Sequence, residues 1–281
     1  MRYGYFDDVN REYVIDKVNT PDPWTNYIGV NDMCAVLSQT ASGYSFYKSP
    51  QYHRITRFRP NAPMDCPGHF VYIRDDDTGE YWSISWQPVG KPLDEASYTC
   101  RHGLSYSKFS CDYRDVSATQ TVFIPLNDAV EIWDVVLKNN ASRTRHLSVF
   151  SYIEFSFHMI DMDNQNFQMS LYASGSNYKD GTIEYDLYYE EQGYQWSSSN
   201  FEPDGFDTLR EAFLGDYHDE RNPSVLEKGV CTGSTGTTGN HCAVLHKKLI
   251  LAPGQEDRLI FMLGEGRRDE SCVLKSKYSD L

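Results

Sequence analysis

Short apolar or aromatic runs recur along this chain at intervals of about 8 to 12 residues, separated by clusters of Gly, Pro, Asn and Asp. That rhythm suits strands joined by tight reversals, so it points to an all-β protein built as a large antiparallel sandwich. The run FVYI at 70–73 leads into the turn DDDTGE at 75–80, and YWSISW at 81–86 leaves it, which reads as a hairpin with a glycine-containing loop. Residues 130–137 and 146–157 flank KNNASRTR and read as a second hairpin. Between the two, residues 118–124 alternate, with Thr119 and Thr121 outward and Val122 and Ile124 inward, until Pro125 ends the strand. Residues 182–189, 241–251 and 257–263 read as further strands, the last two joined by the turn APGQ.

The segment HLSVFSYIEFSFH at 146–158 carries apolar side chains on both faces of a strand, which places it in the middle of the sandwich. Glu154 in such a strand must find a partner or reach a cleft. The stretch EPDGFDTLREAFLGDY at 202–217 breaks the rhythm: PDGFD reads as a turn, and Thr208 as the cap of a short helix that turns Leu209, Ala212 and Phe213 inward. The tract GVCTGSTGTTGN at 229–240 has four glycines and no lysine after them, so it lacks the phosphate-loop pattern and reads as a flexible connection. Periodicity ends at Gly264, and the tail EGRRDESCVLKSKYSDL has helix-forming residues. These signals divide the chain into a sandwich over 1–264 and a helix-forming tail over 265–281.

The densest chemistry lies in GYSFYKSPQYHRITRFRPN at 43–61, where the rings of Tyr44, Phe46, Tyr47, Tyr52, His53 and Phe58 interleave with Lys48, Arg54, Arg57 and Arg59. Rings stack on the apolar faces of sugars, and guanidinium forks grip hydroxyl, carboxylate or phosphate oxygens. A strand pair with solvated charges has the same composition, so the residues alone leave both readings open. If the start of the segment is extended, Tyr44 and Phe46 share one face and Tyr47 points the other way.

Composition excludes several classes. A net charge of -14 repels phosphate backbones, and no arginine-rich arm reverses it locally, so nucleic acid is not an expected partner. Seven cysteines without CxxC spacing fit neither a paired disulfide framework nor a zinc ribbon, and point to a reducing cytoplasm. The N-terminus MRYGYFDDVNREYVI lacks the apolar core of a signal peptide, and no run is long enough to cross a membrane. Asp161, Asp163, Asn164 and Asn166 in IDMDNQN imitate a calcium loop, yet the glycine required at the sixth position and the closing Glu are missing, so no metal is expected. The clusters Asp7/Asp8, Asp75/Asp76/Asp77 and Asp161/Asp163 sit in turn-like contexts where solvation is the ordinary role. Neither a GxSxG elbow nor an HExxH helix occurs, and 40 acidic residues are too many for sequence to pick a catalytic pair.

Taken with MRYGYFDDVNREYVI and DPWTNYIG, the segment GYSFYKSPQYHRITRFRPN resembles the N-terminal domain of the inverting disaccharide phosphorylases, cellobiose phosphorylase above all. The likeness continues through 96–103, 150–168 and 205–217, so it spans nearly the whole chain. It implies a galactose-mutarotase-like super β-sandwich followed, in the family, by a linker helix whose start would be 265–281 of this chain, an (α/α)6 barrel with the catalytic aspartate and phosphate site, and a small β domain. No catalytic residue carries over to this chain, and no cofactor is implied beyond inorganic phosphate as co-substrate. The resemblance implies a homodimer, a β-linked glucose disaccharide as substrate of the whole enzyme, and a role for Tyr47, Arg54 and Arg57 in capping the sugar site. Two other classes fit the same residues: a free-standing carbohydrate-binding sandwich with Tyr44, Tyr47, Trp82, Trp86 or Trp196 as stacking platforms, and a glycoside hydrolase with its own carboxyl pair.

Overall fold

The computed structural model describes residues 2–58, 67–165, 172–188 and 194–281, with Asn164 and Gln165 described in their backbone only. A hairpin of β1 (Gly4–Asp7) and β2 (Glu12–Ile15) opens the chain, followed by a small sheet of β3 (Thr25–Ile28), β4 (Met33–Ser38) and β5 (Gly43–Tyr47). The hairpin read at 70–86 is β6 (Phe70–Asp75) and β7 (Tyr81–Ser83). Then β8 (Ser97–His102), β9 (Tyr106–Tyr113), β10 (Val116–Phe123) and β11 (Val130–Asn139) form a meander. After β12 (Arg145–Glu154) and α1 (Ile160–Gln165) come β13 (Ser174–Lys179), β14 (Thr182–Leu187) and β15 (Tyr194–Ser199). The chain finishes with β16 (Gly205–Leu209), α2 (Arg210–Leu214), α3 (Ser224–Lys228), β17 (His241–Leu251), β18 (Glu256–Glu265) and α4 (Arg268–Tyr278).

Two large antiparallel sheets make the sandwich: ten strands in the order β1-β2-β8-β9-β10-β11-β18-β15-β14-β13, and five in the order β16-β17-β12-β6-β7. Their facing side chains, including Trp82, Phe109, Val149, Leu137 and Phe261, form the main core. Alternation along β11 and β18 sends Val130, Ile132, Ile260 and Met262 to the opposite face of the ten-stranded sheet. There they join Trp196, Leu274 and Tyr278, so α4 lies on the outer face of that sheet. Gly264 permits this packing, because a Cβ at that position would stand 2.2 Å from the Trp196 ring. Among the described residues no helix is long and apolar enough to cross a membrane.

The second expected hairpin is not one. β11 pairs with β10 and β18 in the larger sheet, while β12 pairs with β17 and β6 in the smaller, so the chain reverses and also changes layer. Asn139 explains the crossing: its buried side-chain amide donates to the carbonyls of Arg143 (2.8 Å), Leu251 (2.9 Å) and Ala252 (3.1 Å). It thereby ties this connection to the β17–β18 connection, which crosses between the same two sheets.

The region after 202 also departs from expectation. Gly205, Phe206 and Asp207 belong to β16 rather than to a turn, and α2 begins after Leu209 with no side-chain cap. Thr208 Oγ1 donates to the Ser234 carbonyl (3.0 Å) and accepts from Ser176 Oγ (2.7 Å). Phe213 is buried as expected and Leu214 joins it, whereas Ala212 and Leu209 are half-buried. The glycine tract is pinned rather than loose. The buried Asp207 carboxylate accepts from the backbone N–H groups and hydroxyls of both Thr232 and Ser234. Ser176 and Gly236 exchange backbone bonds of 2.8 and 3.2 Å, which covers part of the free edge of β13.

Candidate functional site

The aromatic and cationic segment starts as β5 and then doubles back. Tyr47 N–H donates to the His53 carbonyl (3.0 Å), and His53 N–H donates to the Ser49 carbonyl (2.9 Å), closing a loop over 47–53. Lys48 sits in that loop with φ 61°, a conformation open to few non-glycine residues. Beyond the loop, Ile55 N–H donates to the Ser45 carbonyl (2.9 Å), and Ser45 N–H donates to Thr56 Oγ1 (2.7 Å).

Within this segment rings and cations largely satisfy one another. The Arg54 guanidinium lies 3.9 Å from the centre of the Tyr44 ring, which also meets Phe46 and Phe58 at 6.1 and 5.6 Å. Arg54 is 5% exposed, and burial pulls its pKa down. Arg57, equally buried, gives Nε and Nη2 to Asp163 on α1 (3.1 and 2.9 Å) and places Nη1 3.6 Å from Glu154. Burial works to lower its pKa, but the carboxylates of Asp163 and Glu154 outweigh that and raise it. Arg59 and Asn61 lie outside the described residues, as do Cys66 and Asn166.

Tyr47 and Lys48 stand elsewhere, on the wall of a cleft of 580 Å³ with His53, Asp128, Tyr194, Glu265, Arg267 and Leu274. His53 Nε2 is 3.0 Å from Glu265 Oε1, and its ring stacks on His158 at 3.8 Å and 24°. Tyr47 meets His53 edge-on at 5.4 Å. Donor atoms of His53, His158 and Glu265 lie within 4.8 Å of one another, close enough to suggest a metal centre. Stacked imidazoles, however, aim their in-plane lone pairs side by side and not at one point, so the set fits a stacked pair with a carboxylate partner better than a tetrahedral ion site. The cleft's chemistry is that of a polar ligand: two tyrosine rings for stacking, with carboxylate, imidazole and ammonium groups between them.

A separate polar cluster lies deep between the sheets. Glu131 Oε2 accepts from Ser45 Oγ (2.5 Å) and Oε1 from Trp133 Nε1 (2.5 Å), with His69 Nε2 at 3.5 Å and also 2.8 Å from Ser45 Oγ. Glu131, His69 and Ser45 are each 0% exposed, so the group has no route to a substrate.

Residues 11–281 match the family model described as glycosyl hydrolase 94, supersandwich domain. The chain belongs to that family. Similar proteins include an N,N'-diacetylchitobiose phosphorylase of Vibrio proteolyticus, 54% identical over 100% of this chain and 35% of that protein. Another N,N'-diacetylchitobiose phosphorylase, from Vibrio furnissii, is 50% identical with the same coverage, so the chain spans about a third of the length of these relatives. Among solved structures, a bacterial glucoamylase complexed with acarbose shares the fold at TM-score 0.57 and 9% identity, over 93% of this chain and 36% of that one.

In this supersandwich domain the three residues singled out from sequence part company. Tyr47 lines the cleft, whereas Arg54 and Arg57 are turned into the protein. Trp82 and Trp196, weighed as stacking platforms, are 0% and 1% exposed and serve the two cores. Glu154 meets the expectation of a partner: Arg210 Nε donates to it at 2.7 Å and the Tyr152 hydroxyl at 2.6 Å. Glu265, His158 and Tyr194 were not foreseen as neighbours of Tyr47. The register of β15 on β18, which pairs Gln195 with Glu265, is what brings Tyr194 to the cleft. No local pattern in the sequence encodes that register.

Proposed function

We propose that the chain acts as the N-terminal, non-catalytic domain of an inverting phosphorylase that cleaves a β-linked disaccharide with inorganic phosphate. The observation that carries this reading is the alignment of the whole chain, at 54% identity, to about a third of a phosphorylase. Two relatives at 54% and 50% identity favour N,N'-diacetylchitobiose over cellobiose, the sugar that the sequence resemblance implied. The sandwich would comprise 1–264, and 265–281, which include α4, would begin the linker toward a catalytic barrel. Its partners would be that barrel and a second copy of the enzyme, in the cytoplasm. Tyr47 would cap the sugar site from the cleft wall, with Arg54 and Arg57 holding the segment that carries it.

The test is phosphorolysis. The chain alone, incubated with N,N'-diacetylchitobiose and phosphate, should release no sugar 1-phosphate, while the longer enzyme of which it is part should release it. Release by the chain alone that a carboxylate substitution abolishes would replace this reading with a self-sufficient catalyst.

A further inference from the structure

We propose that Arg57 is a positioning residue that couples the 47–53 loop to helix α1, so that loop and helix form one lip beside the cleft. The inference rests on the capping role given to that loop above. Backbone bonds already knit residues 51–57 to residues 154–160: Arg57 N–H to the Glu154 carbonyl (2.8 Å), Ser156 N–H to that of Ile55 (2.9 Å), Arg54 N–H to that of His158 (2.9 Å) and Ile160 N–H to that of Gln51 (2.9 Å), the last joining loop and helix directly. These rungs stop at the first residue of α1. The helix has only six residues, too few to persist by its own backbone bonds.

Farther along α1 the Arg57 fork takes over. Its Nε and Nη2 both contact Asp163 Oδ1, at 3.1 and 2.9 Å, while Nη1 faces Glu154 at the end of β12. Asp163 and Glu154 have side-chain exposures of 3% and 4%; without the Arg57 guanidinium the sealed Asp163 carboxylate would lose its cation, while Glu154 would keep Arg210. A fork with fixed geometry sets direction as well as charge, which a single ammonium cannot do. Arg57 thus holds α1 to the rigid end of a central strand while its own main chain leads back to the loop.

Hydrogen exchange read by mass spectrometry on the chain tests the coupling. Asp163→Asn keeps the shape of the side chain and removes its charge; it should speed exchange about tenfold in both 160–165 and 49–53 while β12 and β17 keep wild-type rates. Arg57→Lys should give an intermediate increase in the same two segments. Faster exchange in α1 with an unchanged loop, or no change in either, would overturn the proposal. In the full-length enzyme, Asp163→Asn should raise KM for the disaccharide several-fold at nearly constant kcat. Coupled exchange with an unchanged KM leaves the joint standing and defeats the capping role. Uncoupled exchange with a raised KM does the reverse.

Discussion

Glu131 on β11 and Glu154 on β12 are sealed almost equally from solvent, at 0% and 4% exposure, yet they are held by different chemistry. Glu131 sits among a hydroxyl, an indole N–H and an imidazole whose pKa burial pulls down. Glu154 sits between two guanidinium groups; burial tends to raise its pKa, but Arg210, Arg57 and the Tyr152 hydroxyl outweigh that and lower it. The first carboxylate lies between the layers, where neutral donors come with the strands. The second stands at a strand end where α1, α2 and the 43–58 segment converge, and each supplies a charge. For these two acids the donors thus differ with the setting, neutral groups between the layers and guanidinium groups where loops and helices meet.

Altering one partner on each side should expose the difference most strongly. Arg57→Ala leaves Asp163 and Glu154 buried with a lost partner and should cost about 3–5 kcal/mol, whereas Glu131→Gln keeps a carbonyl acceptor and should cost about 1–3 kcal/mol. Urea unfolding of both variants checks the order; equal losses would erase the distinction.

Acid should separate the two regions next. His69, beside Glu131, has a pKa lowered by burial, and so have His241 and His246, each down to about 4. The unfolded imidazole titrates at about 6.5, so as pH falls the unfolded chain takes up the proton first and stability is lost from about 6.5 downward. His241 and His246 would each account for roughly 3 kcal/mol of that loss by pH 4. Glu154 behaves oppositely in timing: its contribution is complete above the unfolded value of about 4.3 and disappears only as pH falls through its lower folded value. Chemical denaturation at stepped pH should show a slope between about 6.5 and 4 that His69→Gln makes shallower, the remainder coming from His241 and His246, with the later drop left in place.

The smallest expected change in stability is at the cleft. Tyr47 is half-buried, so Tyr47→Ala should shift the unfolding free energy by about 1 kcal/mol or less. If the chain is the phosphorylase domain proposed above, the same variant in that longer enzyme should lower kcat/KM for the disaccharide several-fold. Wild-type kinetics with normal folding would make the cleft wall a structural surface.

Much of this domain was legible as strands and little of it as layers. Alternation located β6, β10, β12, β14, β17 and β18, and the two apolar faces of β12 foretold both its central place and a partner for Glu154. The KNNASRTR reversal was visible too, but a turn signal reports that the chain turns back and not which sheet receives it. That choice depends on Asn139 reaching carbonyls 112 and 113 residues away. Aromatic content misled in the same way: Trp82 and Trp196 have the composition of platforms, and only the two-sided packing of the ten-stranded sheet shows them as core. The cleft joins His53, backed by the buried His158, to Tyr194 and Glu265, whose proximity follows from strand register and leaves no local trace.

The position of β18 bears on how the domain comes to exist in the cell. Residues 256–265 lie between β11 and β15, so the ten-stranded sheet remains two unjoined pieces until β18, the last of the described strands, has left the ribosome. Until then β11 and β15 each offer an unpaired edge, the kind of surface that recruits other nascent chains. Closure by so distant a strand also makes this a slow topology.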